Sequence, residues 1–336
     1  MTRAAGMLLT ALAILGCRRE QEPPHDETQA KAAAPAHVEA RPEAEASAQP
    51  FSRDIRPHLA ALAGSDQDVA NDAQEALEEL GPGIAPALLA MFPNQPEAAR
   101  VRIVRVLAEL RTADAVEAVM QSASKDGELA VRAASLRALA KIRDPRSGEI
   151  VMAALDDPLP AVRWAALDAC VTLCTTPASI QKVATLAVSD PDLTAGLMAR
   201  TVLGRLRASG HGEAVQAAIA ASARPALSAS TPDARARAAL VVADGGDAAA
   251  LASLATLASA VSPALQRQIA FTLGVAGDAA AVAPLKGLLG QQDESVQLYA
   301  YDALRRLGDR GVSGAREAGA TYAGPKPWAP LGPPDA

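Results

Sequence analysis

Aromatic side chains make up only 2% of the 336 residues, with two Trp, three Tyr and three Phe. Strand-type runs of Val, Ile, Thr and aromatics are missing, which argues against a sheet protein and for an all-α fold. Histidine is also scarce. His25, His37, His58 and His211 are scattered, and none stands at i, i+4 from another metal-ligating residue. There is no phosphate loop, no GxSxG and no HExxH, so no catalytic residue, metal or cofactor is expected. Basic charge is in deficit: 32 Lys and Arg against 38 Asp and Glu give a net charge of −6. That argues against a nucleic-acid-binding surface, which normally needs a basic patch. Cysteine appears three times, without a CxxC. Cys170 and Cys174, four residues apart, are expected to be two small buried core residues. A disulfide between them is the alternative.

What the chain has in quantity is alanine, the best helix former, and a recurring pattern. The clearest copy is Val131-Arg132-Ala-Ala-Ser-Leu136-Arg-Ala-Leu139. Counting Val131 as zero, apolar residues fall at 0, +5 and +8, with Arg at +1. Val162-Arg163 with Leu167 and Cys170 repeats the pattern. So do Ala234-Arg235 with Ala239 and Val242, and Val296-Gln297 with Tyr301 and Leu304. Weaker copies start at Val69, Ala99, Ala195 and Leu265. The eight starts lie 30, 32, 31, 33, 39, 31 and 31 residues apart. Such a near-constant period predicts an α-solenoid of about eight stacked helical hairpins of about 31 residues each.

Punctuation in phase with the period divides each unit into helix A, a turn and helix B. At −5 stand Asn94, Asp126, Asp157 and Asp190, in the turn before helix A, where Asx side chains take up free N–H groups. Pro160, Pro232 and Pro263 stand at −2, in a first helical turn. At +13 stand Asp144, Asp247, Asp278 and Asp309, with Thr112 and Thr175, as N-caps for helix B. Gly246, Gly277 and Gly308 immediately precede the aspartates of the last three units and suit helix C-termini. The unit starting at Ala195 departs most. It has Gly196 at +1 and an eight-residue excess, expected as a bulged loop around 223–232.

The Arg at +1 is the unusual mark. At 100° per residue, Arg132 falls inside the apolar sector that also holds Val131, Leu136 and Leu139. A charge there must be paired or must snorkel. The −5 carboxylates of neighbouring units are the natural partners, so an Asp–Arg ladder is expected among Asp126, Arg132, Asp157, Arg163 and Asp190.

The unit Asp157-Pro158…Val162-Arg163…Ala166-Leu167, repeated near 31 residues, resembles the short HEAT-like repeats named after phycobilisome lyases. The resemblance covers roughly residues 65 to 320. It implies an α-solenoid that holds a protein or peptide partner, with the B helices lining the concave face. On that face Lys182, Gln216, Ser253 and Lys286 are the candidate binding positions, in a surface otherwise poor in charge. A passive structural element of the envelope is the alternative, and a bilin lyase-like enzyme a further one.

The ends differ from the array. Arg3 and the apolar run from Ala4 to Leu15 have the organisation of a signal peptide. About 12 apolar residues span roughly 18 Å as a helix, too short for a bilayer core of roughly 30 Å. Ile14-Leu15-Gly16-Cys17 resembles the lipobox of bacterial lipoproteins. That resemblance implies cleavage before Cys17, lipid attachment at Cys17, and membrane contact through the lipid anchor only. Arg18 in place of the aspartate that retains enteric lipoproteins at the inner membrane implies the outer membrane, on its periplasmic face or at the cell surface. The expected organisation is therefore 1–16 signal peptide, 17–50 disordered tether rich in Glu, Gln, Pro and Ala, 51–320 repeat array, and 321–336 Pro-rich tail. The array is expected to open on a capping helix from Phe51 to Ala63. Trp328 in the tail is expected to dock on the last helix pair.

Overall fold

A computed structural model describes residues 54–334. The signal segment, Cys17 and the tether lie outside the described residues, as does Phe51. The described residues contain helices and no strand. After a short capping helix, α1 (Arg56–Leu62), come eight hairpins. Their A helices are α2 (Gln67–Glu79), α4 (Glu97–Leu110), α6 (Leu129–Ile142), α8 (Pro160–Leu173), α10 (Leu193–Leu206), α12 (Pro232–Ala243), α14 (Pro263–Ala276) and α16 (Glu294–Asp309). Their B helices are α3 (Ala85–Met91), α5 (Ala113–Lys125), α7 (Ser147–Ala154), α9 (Pro177–Ser189), α11 (Gly212–Ala226), α13 (Ala248–Leu257), α15 (Val282–Leu288) and α17 (Ala315–Gly319). The array is thus an all-α solenoid. None of the described helices is long and apolar enough to cross a membrane.

The repeat positions explain the core. Val131, Leu136 and Leu139 are fully buried in α6, as are Val162, Leu167 and Cys170 in α8. Each large apolar side chain so buried contributes about 1.5–3 kcal/mol. α4 packs on α6, α6 on α8, α8 on α10, α12 on α14 and α14 on α16, while between α10 and α12 the layer of A helices is interrupted and α12 packs on the B helices α9 and α11 instead. The pattern slips in the first unit. Val69 is 51% exposed, and Ala70, Ala73 and Leu77 carry the buried face of α2 instead. The first unit packs on the short helix α1 in place of a preceding hairpin, so α2 is not held to the repeat's apolar marks.

Most of the punctuation stands where expected. Pro160, Pro232 and Pro263 each open their helix. Asp247 and Asp278 accept backbone N–H groups at the starts of their B segments, and Thr112 caps α5. Three details differ. The cap of α9 is Thr176 rather than Thr175, because Thr176 and Ser179 form a reciprocal capping box. Gly308 and Asp309 lie inside α16, which runs on because the last B helix, α17, is short and starts late, after Gly314. Much of the excess length of the fifth unit enters α11, which reaches 15 residues, and the loop that follows spans only residues 227–231.

Cys170 and Cys174 are joined by a disulfide, both fully buried, which corrects the expectation of free thiols. Cys170 sits in the last turn of α8. Cys174 leaves the helix at its C-cap with φ −95° and ψ 61°, and this departure from helical geometry lets the i, i+4 pair close.

The tail also departs from expectation. Trp328 is 99% exposed and docks on nothing. Leu331 makes the contact instead: its N–H donates to Asp302 at 3.2 Å, and its carbonyl accepts from Arg306. Asp302, buried, also accepts from Arg305 at 2.6 Å and from Arg306 at 2.7 Å. Tyr322 stacks on Tyr301 with ring centroids 5.0 Å apart. The tail therefore lies over the exposed side of the last A helix.

Candidate functional site

The residues that sequence reasoning singled out form three groups. The first lies at the N-terminal rim of the A helices. Each −5 aspartate closes an Asx turn. Asp126 accepts the N–H of Glu128 at 2.9 Å, Asp157 that of Leu159 at 2.8 Å, and Asp190 that of Asp192 at 2.8 Å. Each also receives a guanidinium from the preceding unit. Arg100 donates to Asp126 at 2.6 Å, Arg132 lies 3.9 Å from Asp157, and Arg163 donates to both oxygens of Asp190 at 2.9 and 2.7 Å. The same Arg reaches backward to its own turn: Arg132 to the Asp126 carbonyl, Arg163 to the carbonyls of Asp157 and Pro158. One guanidinium thus joins the turns of two adjacent units.

Burial is deepest in the last pair of this row, Arg163–Asp190, with Arg163 at 6% and Asp190 at 1% exposure. The Asp190 carboxylate holds the Arg163 guanidinium above the usual arginine range. Beyond it both partners vanish together: +1 is Gly196, and the next −5 position is Ala229. Arg237 of α12 fills the gap. A Cβ at Gly196 would stand 2.7 Å from its Nη2, so the glycine admits the guanidinium. Burial pushes Arg237 below the usual arginine range, against the pull of Asp190, Asp233 and Asp192. Arg200 crosses the same break to Asp244 and, at 3.0 Å, to Thr272.

The second group lies at the opposite rim and was not anticipated. Side chains near the end of one A helix donate to the free carbonyls at the end of its neighbour: Arg111 to Lys141 at 3.3 Å, Arg207 to Asp244, Arg310 to Gly277 at 2.8 Å. The last four carbonyls of a helix lack internal donors, and its C-terminus favours cations. Two of the three donors, Arg111 and Arg207, stand at +12 and Arg310 at +14, a signal that reads locally as an ordinary helix end.

The third group is the B-helix side. Gln216 and Lys286 are exposed, and Ser253 is half-buried. Lys182 is half-buried and paired with Asp156. Gln181, Thr185 and Ser222 link α9 to α11 through hydroxyl and amide contacts. These four candidate positions are distributed over α9, α11, α13 and α15. Between α13 and the end of α14, a recess of about 90 Å³ is lined by Ala248, Leu251, Ala252, Ala255, Leu273 and Ala276. It exists because α13 presents alanines at 248, 252 and 255, whose side chains are too short to reach the next unit. Its volume exceeds the ~10–15 Å³ that one water requires, and its walls are apolar except for Asp278. Among the described residues no group of three or more His, Cys, Asp or Glu could hold a metal ion.

Residues 84–158 match the family model for HEAT repeats. No curated protein matches the chain. Among solved structures, the complex of CpcE and CpcF of phycocyanin lyase from Nostoc is 20% identical, with a TM-score of 0.40. The match covers 44% of this chain and 96% of that one. The YibA protein of E. coli is 15% identical, with a TM-score of 0.45, over 75% of this chain and 91% of that one. Kap95p, solved with RanGDP, is 14% identical with a TM-score of 0.37, over 78% and 40%. Residues 84–158 thus carry the HEAT-repeat pattern, within an array that is an all-α solenoid of helical hairpins.

Proposed function

We propose that this protein is a protein-binding scaffold of the bacterial envelope, held to the outer membrane by a lipid on Cys17. The observation that carries the binding role is the recess between α13 and α14. It is an apolar pocket, walled by alanine and leucine, on the otherwise weakly charged B side. Apolar pockets with a single polar lining residue, here Asp278, receive the anchoring side chain of a protein partner. The Cys170–Cys174 disulfide supports an oxidising compartment, since such bonds are rare in reducing cytosol.

Two experiments test the two halves separately. Cys17→Ser should abolish lipid attachment, leaving a chain that mild salt washing releases from membranes or that stays uncleaved. A variant that keeps the lipid label and fractionates as wild type ends the anchor reading. For binding, the mature array without lipid would be used to capture proteins from envelope extract, and the captured partner identified. Ala252→Arg in the recess and Ser253→Glu beside it should each weaken that capture about tenfold, on the order of 1.4 kcal/mol. Arg205→Glu on α10 should leave it unchanged. Equal losses at Arg205, or none at Ala252, would remove the recess as the docking point.

A further inference from the structure

We propose a second docking surface, independent of the recess: the C-terminal rim of α4 and α6 binds an acidic segment of a partner protein through Arg105, Arg111 and Arg143. The first observation is conformational. In the first and sixth units the position twelve residues after the repeat start, just past helix A, is glycine in the left-handed region: Gly81 at φ 75° and Gly246 at φ 83°. In units two and three the same position is Arg111 at φ 51° and Arg143 at φ 60°, the two non-glycine residues with positive φ among the described residues. That conformation is disfavoured for any residue with a Cβ. The array has a glycine solution available and does not use it here.

The second observation is that the fold gains little in return. Arg111 makes one hydrogen bond, at 3.3 Å, to the Lys141 carbonyl. Arg143 is exposed, and its side chain pairs with no described residue. A cation favours a helix C-terminus, but Lys141 already supplies one in the last turn of α6. Strain kept at a surface position without internal compensation points to a function at that position. Arg105, six residues before Arg111 on α4, is likewise exposed and unpaired. The contact between Arg111 and Lys141 holds the ends of α4 and α6 side by side, and Arg105 stands about 9 Å back from that end along α4.

The neighbouring charges decide the class of partner. Arg137, Lys141 and Arg146 are also exposed, but they are paired with Asp168, Glu109, and Asp144 with Glu117. Those interspersed carboxylates repel a dense polyanion such as nucleic acid or an anionic membrane. Spaced carboxylates of a peptide can meet the free guanidinium groups of Arg105 and Arg143 and the remaining donors of Arg111, and avoid the acids between them.

The test uses the mature array and a fluorescent peptide of alternating Glu and Ser, with binding followed by anisotropy at low salt. Wild type should bind. The double variant Arg111→Gly, Arg143→Gly should bind about tenfold more weakly, as expected for two rim ion pairs, while its thermal midpoint stays equal or rises. Arg143→Lys should retain binding within about twofold, since it keeps the charge. Arg205→Gln, which removes the same charge from α10, should leave binding unchanged. Absence of binding by wild type overturns the proposal. So does an unchanged affinity in the glycine double variant, or a lowered midpoint in it, which would assign these arginines to the fold. Heparin or anionic vesicles that bind as tightly as the peptide would overturn the assignment to an acidic protein segment.

Discussion

Asp190→Ala is expected to destabilise the centre of the array by about 3–5 kcal/mol, the cost of leaving one partner of a buried ion pair behind. The Asp190 side chain is inaccessible to solvent, and that of Arg163 is 7% accessible. Without the carboxylate, two guanidinium N–H groups that now donate at 2.9 and 2.7 Å face a dry interior. The Asx turn that positions α10 also loses its acceptor, since Asp190 takes the Asp192 N–H. The double replacement Arg163→Met, Asp190→Leu should recover most of the loss, because it removes the orphaned charge as well as the pair. The other rungs supply an internal gradient. Asp157→Ala should cost about 0–1 kcal/mol, since its pair with Arg132 is 3.9 Å long and partly solvated. Asp126→Ala should fall between the two. Urea titration with hydrogen exchange at α8 and α9 would measure the order. In a solenoid whose stability is nearly a sum of local terms, the loss should concentrate around the fourth and fifth units. If Asp190→Ala costs no more than Asp157→Ala, burial does not govern the ladder.

The ladder also shows how far a sequence of this kind can be read. Arg132, Arg163 and the aspartates were legible because every unit meets the same local requirements: an apolar sector, a turn before helix A, and a charge that must be satisfied. Repetition makes each requirement visible several times. The rule that pairs each Arg with the aspartate of the following unit depends on the rise and twist between units, which no local pattern encodes. Irregular places were less legible for the same reason. Gly196 was visible as a departure, but that Arg237 would fill the space requires knowing that α12 lies across it. Val69 and Gly308 belong to end units, where one neighbouring hairpin is missing and the repeat's constraints lapse. In the tail, hydrophobicity favoured Trp328. Docking followed instead from backbone geometry: the Leu331 N–H and carbonyl meet Asp302 and Arg306, and Trp328 points away. The recess was legible only as a run of alanines, because it is made by what α13 lacks.

Small residues also carry the last expected result. Gly274→Leu should destabilise the end of the array by about 3 kcal/mol, and Gly274→Ala by about 1–2 kcal/mol. Gly274 lies within α14, where glycine is about 1 kcal/mol worse than alanine on conformational grounds alone. Its place is explained by α16. A Cβ at residue 274 would stand 2.7 Å from the Cα of Ala303 and 2.8 Å from its Cβ. The first of these atoms is backbone, so no rotamer change relieves the contact, and the two helices must move apart. That separation would disturb neighbouring apolar contacts that include Leu273 and Leu304, both buried. Gly204 provides the control. It is also within an A helix, α10, but exposed, and a Cβ there meets nothing within 4 Å. Gly204→Ala should therefore stabilise the protein by about 0.5–1 kcal/mol. Opposite signs for the same chemical change separate close helix packing from helix propensity. Thermal unfolding of both variants, with hydrogen exchange at α14 and α16, would decide it. If Gly274→Ala stabilises as Gly204→Ala does, the close approach of α14 and α16 is not the reason glycine stands there.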